Sequence, residues 1–147
     1  MGLFQAFNIS ASGMTAERFR TDIIAENIAN VNTTTTESGG PYLRKIVTFQ
    51  EKEVNSFSQL YTASKNKAVG NGVRVASVTE DYETDFVMEY DPANPDADEN
   101  GYVSYPNVNT VTEMTNLIDV TRAYEANATA FDASKSMAMT GLSVGRS

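Results

Sequence analysis

The sequence contains no cysteine, no histidine and no tryptophan among its 147 residues. Without cysteine the chain has no disulfide, no thiolate metal ligand and no cysteine nucleophile. Without histidine it lacks the commonest general base and the commonest metal ligand. Any catalytic site would therefore rest on carboxylates, lysine, tyrosine or serine, and we expect neither a cofactor nor a metal ion.

Positive charge is also scarce. Eleven Lys and Arg residues stand against 19 Asp and Glu residues, so the formal net charge is -8. No basic residue lies between Arg74 and Arg122, whereas that stretch carries many acids. Because phosphate contacts need a basic face, the charge argues against nucleic acid as a partner. The acidic stretch indicates either a solvated acidic face or a site for a cation or a basic partner.

Long apolar runs are absent too. No segment approaches the roughly 20 apolar residues of a membrane-spanning helix. The start, MGLFQAFNIS, lacks the basic segment of a secretory signal peptide, and position 6 is Ala where a myristoylation signal needs Ser or Thr. We therefore expect no direct membrane insertion. If the protein leaves the cytosol, we expect a route that reads an uncleaved N-terminus.

Near the C-terminus, residues 110–142 carry apolar residues at steps of three and four, which is the period of one helical face. These residues are Val111, Met114, Leu117, Ile118, Val120, Tyr124, Ala128, Phe131, Ala138 and Leu142. Thr110 or Thr112 is predicted to cap the start of this helix, and Gly141 is predicted to stop it.

A second helical pattern covers residues 3–31, with Leu3, Phe7, Met14, Ile24, Ile28 and Val31 at the same spacing. Ser12 and Gly13 are poor helix formers, so we expect an irregular beginning and a regular helix from Met14. Such a helix is marginal in water, and its obvious partner is the C-terminal helix. We expect it to end in the Asn-rich segment 27–32, before the Gly-Gly-Pro run at 39–41.

The middle of the chain predicts four short strands, at residues 42–50, 73–79, 86–90 and 102–105, because these are rich in β-branched and aromatic residues. A polar loop at 51–72 separates the first two. The predicted fold class is α+β, with long N- and C-terminal helices that pair as a coiled coil around a small β-rich insert. The predicted divisions are an N-terminal helix at 1–33, the insert at 34–109 and a C-terminal helix at 110–147.

Two acidic motifs invite a chemical interpretation. Residues 96–101, DADENG, match the first half of a calcium loop, but the twelfth position is Asn107 rather than the Glu that completes the oxygen cage. We interpret this motif as a turn built from Asp, Asn and Gly. Glu89 with Asp91 or Asp98 could be nominated as a glycosidase pair, but the small insert offers no cleft lined with aromatic side chains for a sugar.

Three stretches resemble a known family. Residues 14–33, MTAERFRTDIIAENIANVNT, resemble the N-terminal signature of the bacterial flagellar rod and hook axial proteins. Residues 90–109, YDPANPDADENGYVSYPNVN, and 112–137, TEMTNLIDVTRAYEANATAFDASKSM, are most similar to the proximal rod proteins of the flagellar basal body. The segments 34–41 and 51–72 match no pattern of the family.

The resemblance implies a structural subunit without enzymatic activity, which stacks helically with sister rod proteins to form the drive shaft across the periplasm for motility. It implies export by the flagellar type III system, and as partners it implies other copies, proximal and distal rod proteins, and the ring or export-gate adaptor of the basal body. We expect the helical stripes and nearby polar residues to form the assembly interface: Leu3, Phe7, Met14, Ile24, Asn27, Ile28, Asn30, Met114, Leu117, Arg122, Tyr124, Asn127, Phe131 and Leu142.

Two other functions remain open from the sequence. The chain could be a different rod or hook subunit, although the run at residues 90–109 argues against it. It could also be a small acidic binding or hydrolytic module, in which case it would have an ordered cleft.

Overall fold

The computed structural model describes residues 3–37, 39–52 and 70–145. Its elements, in chain order, are α1 (Leu3–Ala29), β1 (Lys45–Glu51), β2 (Val73–Glu80), β3 (Val87–Tyr90), β4 (Tyr102–Tyr105) and α2 (Thr110–Val144). In chain order, two long terminal helices thus flank a small β-rich middle, which confirms the predicted α+β class. The four strands lie within a few residues of the predicted positions. Most of the predicted polar loop, residues 53–69, lies outside the described residues.

Helix α1 is regular from Leu3 onward, so the expected irregular beginning is wrong. Ser12 lies inside the helix, and its hydroxyl donates a hydrogen bond to the Ile9 carbonyl at 2.7 Å. Ser and Thr inside a helix commonly bond to a backbone carbonyl of the preceding turn in this way. The helix ends where predicted, and both the backbone N–H and the side-chain amide of Asn30 donate to the Glu26 carbonyl.

The two ends of α2 differ from the prediction. Asn109, not Thr110 or Thr112, caps the start, because its Oδ1 accepts hydrogen bonds from the backbone N–H groups of Val111 and Thr112 at 3.0 and 3.1 Å. Gly141 does not stop the helix, which continues to Val144. Glycine lowers helix propensity by about 1 kcal/mol, and a single such residue near the end is tolerated.

The strands form two separate two-stranded sheets, β1 with β2 and β3 with β4. In the second sheet the strands are antiparallel, with Val87 opposite Tyr105 and Tyr90 opposite Tyr102. The connection between β3 and β4 is a series of Asx turns, in which Asp98 Oδ1 accepts from the N–H groups of Asn100 and Tyr102 at 2.8 Å. This confirms that residues 96–101 form a turn.

The chain divides into two compact units. Helices α1 and α2 and strands β1 and β2 each contribute residues to both units. The terminal unit comprises Met1–Phe19, Phe49–Ala76 and Val120–Ser147. The middle unit comprises Arg20–Thr48 and Ser77–Asp119. The predicted division at residues 33 and 109 stays a prediction. No helix in the described part of the chain is both long and apolar enough to cross a membrane.

Candidate assembly site

A buried carboxylate organises the middle unit. Glu113, in the first turn of α2, is 1% exposed. Its Oε1 accepts hydrogen bonds from Nε and Nη2 of Arg44 at 2.9 and 2.8 Å, and its Oε2 accepts one from the Asn27 amide at 3.2 Å. Burying a carboxylate is costly unless it is paired and hydrogen-bonded, and both conditions hold here. Glu113 therefore connects α1, the segment before β1, and α2.

Asn27 completes this connection from α1. Its Oδ1 accepts hydrogen bonds from the Tyr42 hydroxyl and the Lys45 N–H, both at 2.9 Å. Its Nδ2 donates to the Lys45 carbonyl at 2.9 Å as well as to Glu113. The amide thus makes four hydrogen bonds within one chain while it is 1% exposed. Asn27 stabilises the middle unit itself, and its contact with neighbouring subunits stays a prediction.

Arg44 joins a second acid to the same cluster. Its Nη1 lies 3.7 Å from Asp81 Oδ2, and Asp81 is buried. Desolvation acts to raise the pKa of Asp81, but hydrogen bonds from Thr84 and Glu83 and the charge of Arg44 outweigh it and hold the pKa below its usual value. Asp81 and Glu113 are therefore not part of a solvated acidic face, which corrects the sequence interpretation for these two acids.

Asn107, which lies just before α2, forms side-chain hydrogen bonds to the backbone of two other segments. Its Oδ1 accepts a hydrogen bond from the Arg44 N–H at 2.8 Å, and its Nδ2 donates to the carbonyls of Asp81 and Thr84. No sequence pattern predicted this function for Arg44, Asp81 and Asn107. One signal was available, because Arg44 and Lys45 are the only basic residues between Arg20 and Lys52.

The environment of Tyr42 should make the unfolding free energy depend measurably on pH. Burial, together with the negative charges of Glu26, Glu113 and Glu80, raises the pKa of Tyr42 to about 12 from 10.0. A raised folded-state pKa gives stability that is fully present below pH 10 and is lost as the pH rises through about 12. We expect the unfolding free energy to fall more steeply over this interval in the wild type than in Tyr42→Phe, measured by urea titration at each pH. Parallel profiles for the two proteins would contradict the assignment.

In the terminal unit the two helices pack directly against each other. The rings of Phe7 and Phe131 lie 4.9 Å apart between centroids. A Cβ placed on Gly13 would lie 2.7 Å from Oδ1 of Asn127, so the helices approach closely there. Because Phe7 meets Phe131 while the later Gly13 meets the earlier Asn127, the helices run antiparallel in this unit. Both aromatic residues belong to the predicted stripes.

The helices differ in length, so among the described residues the last part of α2 has no opposing residue of α1. Helix α2 has 35 residues and α1 has 27. With Phe7 opposite Phe131, the start of α1 at Leu3 lies about one turn further along and opposite about residue 135 of α2. The large apolar residues beyond this point are exposed: Met137, Met139, Leu142 and Val144. Of these four residues, only Leu142 belongs to the interface predicted from the sequence.

The other predicted interface residues fall into three groups. Ile24 is buried, whereas Met14, Ile28, Asn30, Leu117 and Asn127 are partly buried. Met114, Arg122 and Tyr124 are exposed. Leu3 begins α1, and its side chain lies outside the described residues. The exposed members, together with Val111 and Ile118, are available to a neighbouring molecule without any change in the fold.

Among the described residues, no group of three or more acids is placed to hold a metal ion. The acids of the DADENG segment are used in the turn itself, and Asp96 Oδ2 accepts a hydrogen bond from the Thr34 hydroxyl at 2.6 Å.

Comparison with known proteins identifies the family. Residues 7–35 match the family described as Flagella basal body rod protein, and residues 99–144 match the family described as Flagellar basal body rod FlgEFG protein C-terminal. The chain is 43% identical to the flagellar basal-body rod protein FlgC of Borreliella burgdorferi over 98% of both chains. It is 43% identical to FlgC of Bacillus subtilis, over 99% of this chain and all of the other.

FlgC of Salmonella typhimurium is more distant, at 38% identity over 99% of this chain and all of the relative. The matches cover both helices and the β-rich middle that connects them. The chain belongs to the FlgC family of flagellar basal-body rod proteins, and it is a structural subunit of the rod.

Proposed function

We propose that this chain assembles helically with copies of itself and with sister rod proteins, and that the assembly forms the drive shaft that crosses the periplasm. In this proposal the subunit is exported by the flagellar type III system and contacts both proximal and distal rod proteins and the ring or export-gate adaptor. Its contribution to motility is mechanical and involves no catalysis.

The observation that carries this proposal is the number of exposed apolar side chains distributed along α2. These side chains are Val111, Met114, Ile118, Tyr124, Met137, Met139, Leu142 and Val144. Single exposed apolar residues are ordinary, but a helix of 35 residues with this many along its length presents a surface for other helices. Packing against neighbouring subunits would remove this surface from water at about 25 cal/mol per Å².

Tyr124→Asp tests the proposal. Tyr124 is 41% exposed, so the substitution leaves the monomer fold largely intact. A buried, unpaired carboxylate in a subunit interface is strongly unfavourable. We expect Tyr124→Asp to abolish swimming in soft agar and to remove the chain from purified basal bodies, while circular dichroism of the monomer is unchanged.

Ser136→Asp is the matched control, because it places the same charge at an exposed polar position of α2. It should swim normally. If Tyr124→Asp also swims and is found in basal bodies at the wild-type level, the exposed surface of α2 around Tyr124 is not used for assembly.

A further inference from the structure

The β3–β4 hairpin carries an exposed aromatic face. Because side chains alternate along a strand, the register places Met88, Tyr90, Tyr102 and Ser104 on the same face. The rings of Tyr90 and Tyr102 meet edge to face with centroids 5.3 Å apart. Met88 is 55% exposed and Tyr90 is 63% exposed. Tyr and Met are enriched at the centres of protein interfaces.

Contacts within the hairpin and its connecting turn fix the conformation of this face. Gly101 has a φ of +81°, and a Cβ there would lie 3.0 Å from the Tyr90 ring. The Ser104 hydroxyl lies 3.1 Å from the Met88 sulfur. A preorganised surface loses less entropy on binding, so the hairpin is suited to a specific partner.

Charge restricts the partner. The middle unit contains three Lys or Arg residues and fourteen Asp or Glu residues. The exposed Glu89, Asp98 and Glu99 lie in the hairpin or its turn. A surface that covers the aromatic face must therefore combine apolar contacts with positive charge.

The terminal unit offers such a surface. A cleft of about 360 Å³ lies between α1 and β2. Its apolar lining includes Phe19, Val73 and Val75, and the exposed cations Lys52 and Arg74 stand beside it. The described part of the terminal unit has five Lys or Arg residues against four Asp or Glu residues, so it does not repel an acidic partner as the middle unit would.

We propose that the aromatic face of the hairpin in one copy docks in the Lys52–Arg74 cleft of the next copy. This inference rests on the proposed assembly of the chain with itself. A second copy is the occupant because the chain carries both complementary surfaces. Since the two surfaces are different, the contact is heterologous and repeats from copy to copy in one direction.

The absence of cysteine allows a direct test. Two tagged forms of the full chain, one with Met88→Cys and one with Lys52→Cys, are expressed together in cells that lack the wild-type chain. Each form is first shown to support swimming. Purified basal bodies are treated with a short bismaleimide, and dimers that contain both tags are measured by blotting. Thr35→Cys, at an exposed position of the middle unit, replaces Met88→Cys as the matched control.

We expect a mixed dimer of Met88→Cys with Lys52→Cys. The yield should be about tenfold lower when Thr35→Cys replaces Met88→Cys. It should fall by a similar factor when Tyr90→Ala is added to the Met88→Cys chain, because Tyr is a typical interface anchor.

If both forms are in the basal bodies and cells swim but no mixed dimer forms, this contact is wrong while the proposed function stands. A Met88→Cys chain linked to a different protein would also overturn it. Absence of the tagged wild-type chain from basal bodies would contradict the proposed function itself. Should a cysteine prevent incorporation, Tyr102→Cys with Arg74→Cys provides the same test.

Discussion

Replacing Glu113 by Ala is expected to lower the free energy of unfolding by about 3 kcal/mol, because it leaves the Arg44 guanidinium and the Asn27 amide without their buried partner. The effect is large because Glu113 is almost wholly buried and accepts hydrogen bonds from Arg44, Asn27 and Asn116. Urea unfolding of the purified monomer, followed by circular dichroism, measures it. Asp119→Ala removes an exposed acid from the same helix and should change stability by less than about 0.5 kcal/mol.

A double substitution separates the charge from the packing. Arg44→Met with Glu113→Met removes both charges of this pair, and the loss of the contact between Arg44 and Asp81 is already contained in the Arg44→Met single change. We expect this pair to be less destabilising than the sum of the two single changes, since a buried ion pair often contributes little net stability although breaking it costs much. If the stability lost in the double substitution equals the sum of the two single losses, Glu113 does not act through Arg44.

Substitution of Gly13 is expected to have the second large effect on stability, and the sign of that effect should depend on Asn127. A methyl group at position 13 would overlap the Asn127 amide, whose Nδ2 is held by the Ala123 carbonyl at 2.9 Å. We expect Gly13→Leu to destabilise the terminal unit by about 2 kcal/mol, because overpacking exceeds the gain of about 1 kcal/mol in helix propensity. Hydrogen exchange of the α1 amides should rise in the terminal unit.

The sharper form of this prediction compares Gly13→Ala in two backgrounds. With Asn127 present, we expect Gly13→Ala to be destabilising. With Asn127→Ala, the overlapping amide is gone, and the same change should be stabilising by up to about 1 kcal/mol, the difference in helix propensity. If the effect has the same sign in both backgrounds, the close approach of the helices at Gly13 is not what requires glycine there.

The helices and strands were predictable because their signals are local. Apolar residues at steps of three and four identify α1 and α2, and β-branched and aromatic runs identify the strands within a few residues. The cap of α2 was assigned incorrectly because Asn109, Thr110 and Thr112 are all good capping residues, and only the backbone geometry selects Asn109.

The buried cluster of the middle unit could not be predicted in the same way. Its members come from α1, the segment before β1, the end of β2 and the start of α2, and a polar contact between distant segments leaves no period in a sequence. Glu113 satisfied a simpler local rule, because an acid is favourable in the first turn of a helix. Because that rule already accounted for an acid at this position, nothing in the sequence indicated that Glu113 pairs with Arg44. Tyr124 and Phe131 belong to one predicted stripe, yet of these two only Phe131 contacts an aromatic ring among the described residues of α1.

The hydrogen bond between Asn27 and Glu113 has a consequence for the order of folding. It joins residues 86 positions apart in the chain. A chain that emerges N-terminus first, from a ribosome or from a narrow channel, cannot close this contact until α2 has begun to appear. Contacts of such high sequence separation form late and slowly. The middle unit therefore stays incomplete until 113 of the 147 residues have emerged, when about three quarters of the subunit is available to its neighbours.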